Sequence, residues 1–157
     1  MTRRDLFTVL FTLLFAAGLG FGLSSCSKPL TVEQRIIADI RQMEAEIEEG
    51  ERAAFLGHFS EDFEGQGGVI NRDRVTAMVI FQLNRYKNLQ AQLFPIRVKE
   101  TGEATAQADF RALVTGGQGL LPENGQVFDF VTRWRLVDDE WFIYAAEWGP
   151  VPLDEVL

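Results

Sequence analysis

His58 is the only histidine in the 157 residues, and Glu61 and Asp62 follow it at three and four positions. An imidazole that close to a carboxylate can pair with it, cap a helix end, or exchange a proton with it. Catalytic proton transfer needs several polar groups converging on one point. The one further acid placed to join them is Glu147, inside the last apolar stretch. The spacing at His58 therefore predicts a local pair or cap, with no catalytic residue assigned. An acid–base site using Glu147 with His58 or Asp62 is the alternative chemistry.

Metal and phosphate chemistry find less support. There is no H-E-x-x-H pattern, and one cysteine, Cys26, can build neither an internal disulfide nor a thiolate zinc set. The glycine-rich "TGGQG" beginning at Thr115 lacks the lysine of a phosphate-binding loop. The sequence asks for no metal and no cofactor.

Cys26 has a different setting. Arg3 and Arg4 open the chain, residues 6–23 carry no charge, and Gly22, Ser24 and Ser25 lead into the cysteine. A basic start, an apolar run and a small-residue exit describe an export signal. The run is just long enough to cross a bilayer, yet Gly18, Gly20 and Gly22 weaken a spanning helix. "LSSC" at Leu23 to Cys26 resembles the lipobox of bacterial lipoproteins. There the thiol receives a diacylglycerol and the segment before it is removed. The resemblance implies a signal peptide over 1–25, lipid attachment at Cys26, and a short tether over 26–30 holding the protein to a membrane of the bacterial envelope. Ser27 after the cysteine implies, in a Gram-negative cell, the outer membrane and its periplasmic side. "TRRDLF" is similar to a twin-arginine motif, and the apolar run fits the general secretory route as well, so the route stays open.

The net charge of −8 repels phosphate backbones and anionic headgroups. Nucleic acid is excluded as a partner, and attachment to a membrane falls to the lipid.

The remaining residues, enough for a single domain, must position whatever the chain binds. "TVEQ" at Thr31 to Gln34 reads as a capping box. Val32, Ile36, Ile37, Ile40, Met43 and Ile47 then share a helical face that ends at Gly50. A short helix from Arg52 to about Phe59 follows, then the turn or short strand "FEGQGG". Asn71 caps a third helix to about Arg85, with Val75, Met78, Val79 and Leu83 inward.

From Leu89 the period drops to two. A hairpin turning at Glu100, Thr101 and Gly102 pairs Val98 with Ala104, Ile96 with Ala106 and Phe94 with Ala108. A second hairpin turns at Asp138 and Asp139, pairing Trp134 with Ile143 and Leu136 with Trp141. Uninterrupted alternation puts Phe130, Thr132, Trp134, Ile143, Ala145 and Glu147 on one face. Arg133, Arg135, Phe142, Tyr144 and Trp148 fall on the other.

Three helices before long antiparallel strands make an α+β domain with helices on one face of a sheet. Gly50, "FLGHFSEDF" and "TRWRLVDDEWFIYAAEW" resemble the NTF2-like superfamily, which includes ketosteroid isomerase, scytalone dehydratase and the polyketide cyclases. The resemblance implies a cone: three N-terminal helices closing over a curved antiparallel sheet across residues 31–149, with 150–157 as a tail. The enzymes of this fold place polar groups on the concave face. Here that face offers Thr132, Trp134 and Glu147 as a candidate pocket. Ala104, Ala106 and Ala108 form a row that a covering helix can fill. Relatives often dimerise through the outer side of the sheet, which makes Arg133, Arg135, Phe142, Tyr144 and Trp148 the candidate surface for a homodimer or an envelope partner. The expected function is a lipid-anchored, non-catalytic domain binding a partner protein or a small apolar ligand. An isomerase or dehydratase, and a structural scaffold, are the alternatives.

Overall fold

The computed structural model describes residues 29–117 and 124–152. Cys26 and its surroundings lie outside them. Helix α1 (Val32–Glu49) starts where the capping box predicts: Thr31 Oγ1 accepts from the Gln34 amide, and the Gln34 side chain accepts from the Thr31 amide. It stops at Gly50, whose φ of 74° is open to glycine at little cost. Helix α2 (Arg52–Gly57) is short, and α3 (Arg72–Arg85) is capped by Asn71, whose Oδ1 accepts from the Arg74 amide.

The strands are β1 (Phe59–Gly65), β2 (Ile70–Asn71), β3 (Asn88–Leu93), β4 (Arg97–Gly102), β5 (Thr105–Gly117), β6 (Asn124–Val137) and β7 (Glu140–Pro150). They form one sheet in the order β2-β1-β7-β6-β5-β3, with β4 also on β5. Only the β1–β7 pairing is parallel. Two expectations are corrected here. Glu61 and Asp62 sit on strand β1, not at a helix end, because Phe59–Gly65 runs extended beside β7, with a register irregularity between Phe59 and Glu64, and both acids are exposed. Pro95, which has no amide hydrogen to donate, lies in the break between β3 and β4, and both strands line the same edge of β5.

The first hairpin also turns later than the alternation suggests. Val98 faces Ala108 and Glu100 faces Ala106, so the turn falls on Glu103 and Ala104, with a bulge between Glu100 and Gly102. The slip is by an even number of residues, so the inward set is unchanged. The second hairpin turns as expected. Asp138 and Asp139 take φ of 49° and 67°, and Trp134 faces Ile143.

The α1 face packs on the sheet through Ile36 and Ile40, which are buried against Ala106, Ala108, Trp134 and Trp141. Burying side chains of that size contributes about 1.5–3 kcal/mol each. Two of the three alanines thus lie under a helix, as the row predicts, while Ala104 is in the turn.

Candidate functional site

Farther along the sheet the packing opens. Between α1, α3 and the strands lies a cavity of about 290 Å³. Its walls come from Ile40, Met43 and Ile47 of α1, Val75, Met78 and Val79 of α3, Phe110, Ala112 and Val114 of β5, and Phe130, Ile143, Ala146 and Trp148. Alternation on β5 places Ala112 and Val114 on the same face as Ala106 and Ala108, and there they line the cavity with Met43 and Ile47 of α1 across it.

Glu44, Gln82 and Thr132 are the polar members of that wall. Trp134 Nε1 donates to Thr132 Oγ1 at 2.8 Å, and Thr132 Oγ1 donates to the Ala108 carbonyl at 3.3 Å. The Glu44 carboxylate accepts from the Leu93 amide and from Arg41, each at 3.0 Å. Gln82 is exposed at the rim. Each buried polar atom of the wall already has a partner within the protein, so the interior recognises chiefly shape and hydrocarbon, and Glu44 is its one ionisable side chain.

Thr132 and Trp134 line this cavity, and Glu147 does not. A β-bulge between Arg133 and Trp134 changes the step: Arg133 faces Ala145, Thr132 faces Ala146, Val131 faces Glu147 and Phe130 faces Trp148. Tyr144 is the extra residue, and every residue after it on β7 is turned over. Glu147 therefore shares the outer face with Val131 and Arg133. Trp148, expected on the partner face, is inside.

The other members of that face stay outside. Arg135 bonds Asp62 Oδ1 at 2.7 Å and lies 5.4 Å from the Tyr144 ring centroid. The guanidinium holds the Asp62 carboxyl down at about 2. Asp62 is exposed and spent on this pair, and like Glu147 and His58 it has no place on the cavity wall. The acid–base alternative of Glu147 with His58 or Asp62 loses its geometry.

His58 is paired, but with a residue the sequence did not single out. Its Nε2 lies 3.0 Å from Glu46 Oε2, and Gln42 Nε2 donates to the other carboxylate oxygen at 2.8 Å. Glu46 is buried on the flank of α1, in one stripe with Asp39 and Gln42. This stripe borders a separate cleft of about 500 Å³ that also includes Arg35, Glu140 and Trp141. Burial pushes the Asp39 carboxyl up, partly opposed by His58 and Arg35. The spacing 39, 42, 46 repeats at helical intervals beside the apolar face, and it is the signal from which the cluster was legible. Among the described residues no group of three or more histidine, cysteine or acidic side chains could hold a metal ion.

No family model and no curated protein matches the sequence. Solved structures do resemble the fold. Bd1075 of Bdellovibrio bacteriovorus aligns with a TM-score of 0.65 at 11% identity over 76% of this chain. The chain spans 41% of the length of Bd1075. A candidate scytalone dehydratase of Novosphingobium aromaticivorans gives 0.65 at 13% identity, covering 75% of this chain and 83% of that one. A candidate dehydratase of the NTF2-like family from Streptomyces avermitilis gives 0.64 at 14%, covering 75% and 95%. The helices on a curved, unclosed sheet, with the cavity between them, are the cone of the NTF2-like fold.

Proposed function

We propose that the chain is a lipid-anchored protein of a bacterial envelope whose NTF2-like cone holds a small apolar ligand without transforming it. The observation that supports ligand binding is the cavity wall: aliphatic and aromatic side chains around about 290 Å³, with each buried polar atom already bonded within the protein. Such a space, at the small end of ligand pockets, suits a compact or narrow apolar molecule. The support for the anchor is the "LSSC" exit after a basic start and an apolar run. The dehydratase-type neighbours lend their fold to this reading and not their chemistry.

Labelling with radioactive palmitate in an expressing bacterium, together with extraction of the purified full chain for mass spectrometry, tests both halves. Native protein should carry label and co-purify with an apolar compound. Cys26→Ser should lose the label, and Ala112→Phe, which fills the cavity, should lose the compound while keeping the label. A labelled Cys26→Ser protein refutes the anchor. A compound retained by a folded Ala112→Phe protein refutes the cavity as its place.

A further inference from the structure

A second, polar cleft adjoins the apolar cavity. Ile47 of α1 and Leu89 of β3 belong to the cavity wall and equally to that of this cleft, of about 140 Å³. The character changes across those two side chains. The cleft is bordered by Glu48, Glu49 and Arg52 from the α1–α2 junction, and by Asn84 and Lys87 from the end of α3. Glu48 is partly engaged, its Oε1 accepting from the Ala91 amide at 3.0 Å. Arg52 and Lys87 are exposed and form no ion pair among the described residues.

A dry chamber that shares the Ile47 and Leu89 side chains with a polar annex suits a molecule with two unlike ends. The chamber cannot receive the polar end, because an unpaired charge there would be stripped of water with nothing in exchange. The annex can. Its uncommitted donors are a guanidinium, an ammonium and a carboxamide, and a guanidinium grips a carboxylate through two parallel hydrogen bonds.

We infer that the site takes a single-chain anionic amphiphile, in its simplest form an aliphatic carboxylic acid. Its hydrocarbon lies in the cone and its carboxylate lies between Arg52 and Lys87. The inference rests on the apolar-ligand reading above and adds the head group to it. Glu49, exposed at the same rim, opposes the acid and sets a limit on how tightly it binds.

Calorimetric titration of the full chain in nanodiscs, with empty nanodiscs subtracted, separates the two ends. The ligands are decanoate, decan-1-ol and butyrate. Decanoate should bind about tenfold more tightly than decan-1-ol, and butyrate should not bind measurably. The preference should shrink as salt is raised. Arg52→Glu with Lys87→Glu should erase the preference while leaving decan-1-ol binding intact, and Glu49→Gln should strengthen decanoate. Equal binding of acid and alcohol, or decanoate binding untouched by the charge reversal, overturns the head-group assignment and leaves the apolar cavity standing. Failure of both ten-carbon ligands to bind the folded native chain overturns the cavity reading itself.

Discussion

Phe130 faces Trp148 across β6 and β7, whereas Trp134 faces Ile143 a few residues nearer the turn. The two pairings differ by one residue in register, and Tyr144 absorbs the difference. This bulge decides what fills the cone, an indole instead of a carboxylate.

The bulge predicts unequal costs at one position. Tyr144→Ala should cost about 0.5–1 kcal/mol, since it removes the ring beneath Arg135 and keeps the backbone count. Deleting Tyr144 should cost roughly 3 kcal/mol or more, because it drives Glu147 toward the apolar cavity or tears the pairing beyond Arg133. Urea unfolding of the two variants checks this. A deletion no worse than the alanine variant contradicts the register.

The buried Glu46–His58 pair, with side-chain exposures of 8% and 14%, joins α1 to the start of β1. Glu46→Ala removes the acceptor of both His58 and Gln42, and should lower stability by about 1–3 kcal/mol. Glu46→Gln keeps the shape and one acceptor, so it should lose less. Neither change should alter ligand binding in the cone, because the two sites share no wall residue. Parallel denaturation and binding measurements separate these effects.

Two aspartates should make stability depend on pH in opposite senses. Asp39 is raised above 3.8 chiefly by burial, so in that window the folded chain holds more protons than the unfolded one. Stability therefore falls as pH rises from 3.8 through the folded value, and Asp39→Asn should flatten that fall. Asp62 is lowered from 3.8 to about 2, first by its hydrogen bond from Arg135. Its contribution is present above 3.8 and lost as pH falls from about 4 to about 2. The pair is exposed, so the loss should stay under about 1 kcal/mol. Urea titrations across pH, with Asp62→Asn beside Asp39→Asn, read the two slopes.

How far the sequence carried depends on what each feature needs. Capping at Thr31 and Asn71, the stop at Gly50 and the Asp138–Asp139 turn are local, and short spans of chain determine them. The slip between β4 and β5 passed unseen because alternating sequences tolerate even shifts; the faces, and so the core, came out the same. The bulge passed unseen for a harder reason. Ala145 and Ala146 are small enough for either face, so "IYAAEW" carries no parity of its own, and the register was fixed by Trp148 fitting beside Gly65. A Cβ at Gly65 would lie 3.0 Å from the Trp148 ring. The partner of His58 was hidden because it depends on how α1 and α2 cross. Glu61 and Asp62 are nearer in sequence but face outward on a strand.

The turn that was legible offers the last test. Asp138 and Asp139 both hold positive φ, the geometry of a two-residue turn that favours Asn-Gly. An aspartate in that region is strained where a glycine is free, and its like-charged neighbour adds repulsion in a chain already at −8. Replacing the pair by Asn-Gly should therefore stabilise the fold by about 0.5–1 kcal/mol. The gain is available because the Asp139 atom that matters elsewhere is its backbone carbonyl, which accepts from Arg35 of α1 and survives the change. If the variant instead loses stability, the aspartate side chains contribute to the Asp39–Arg35–Glu140 cleft beside them, and the melting temperature of Arg35→Ala in each background would show that coupling.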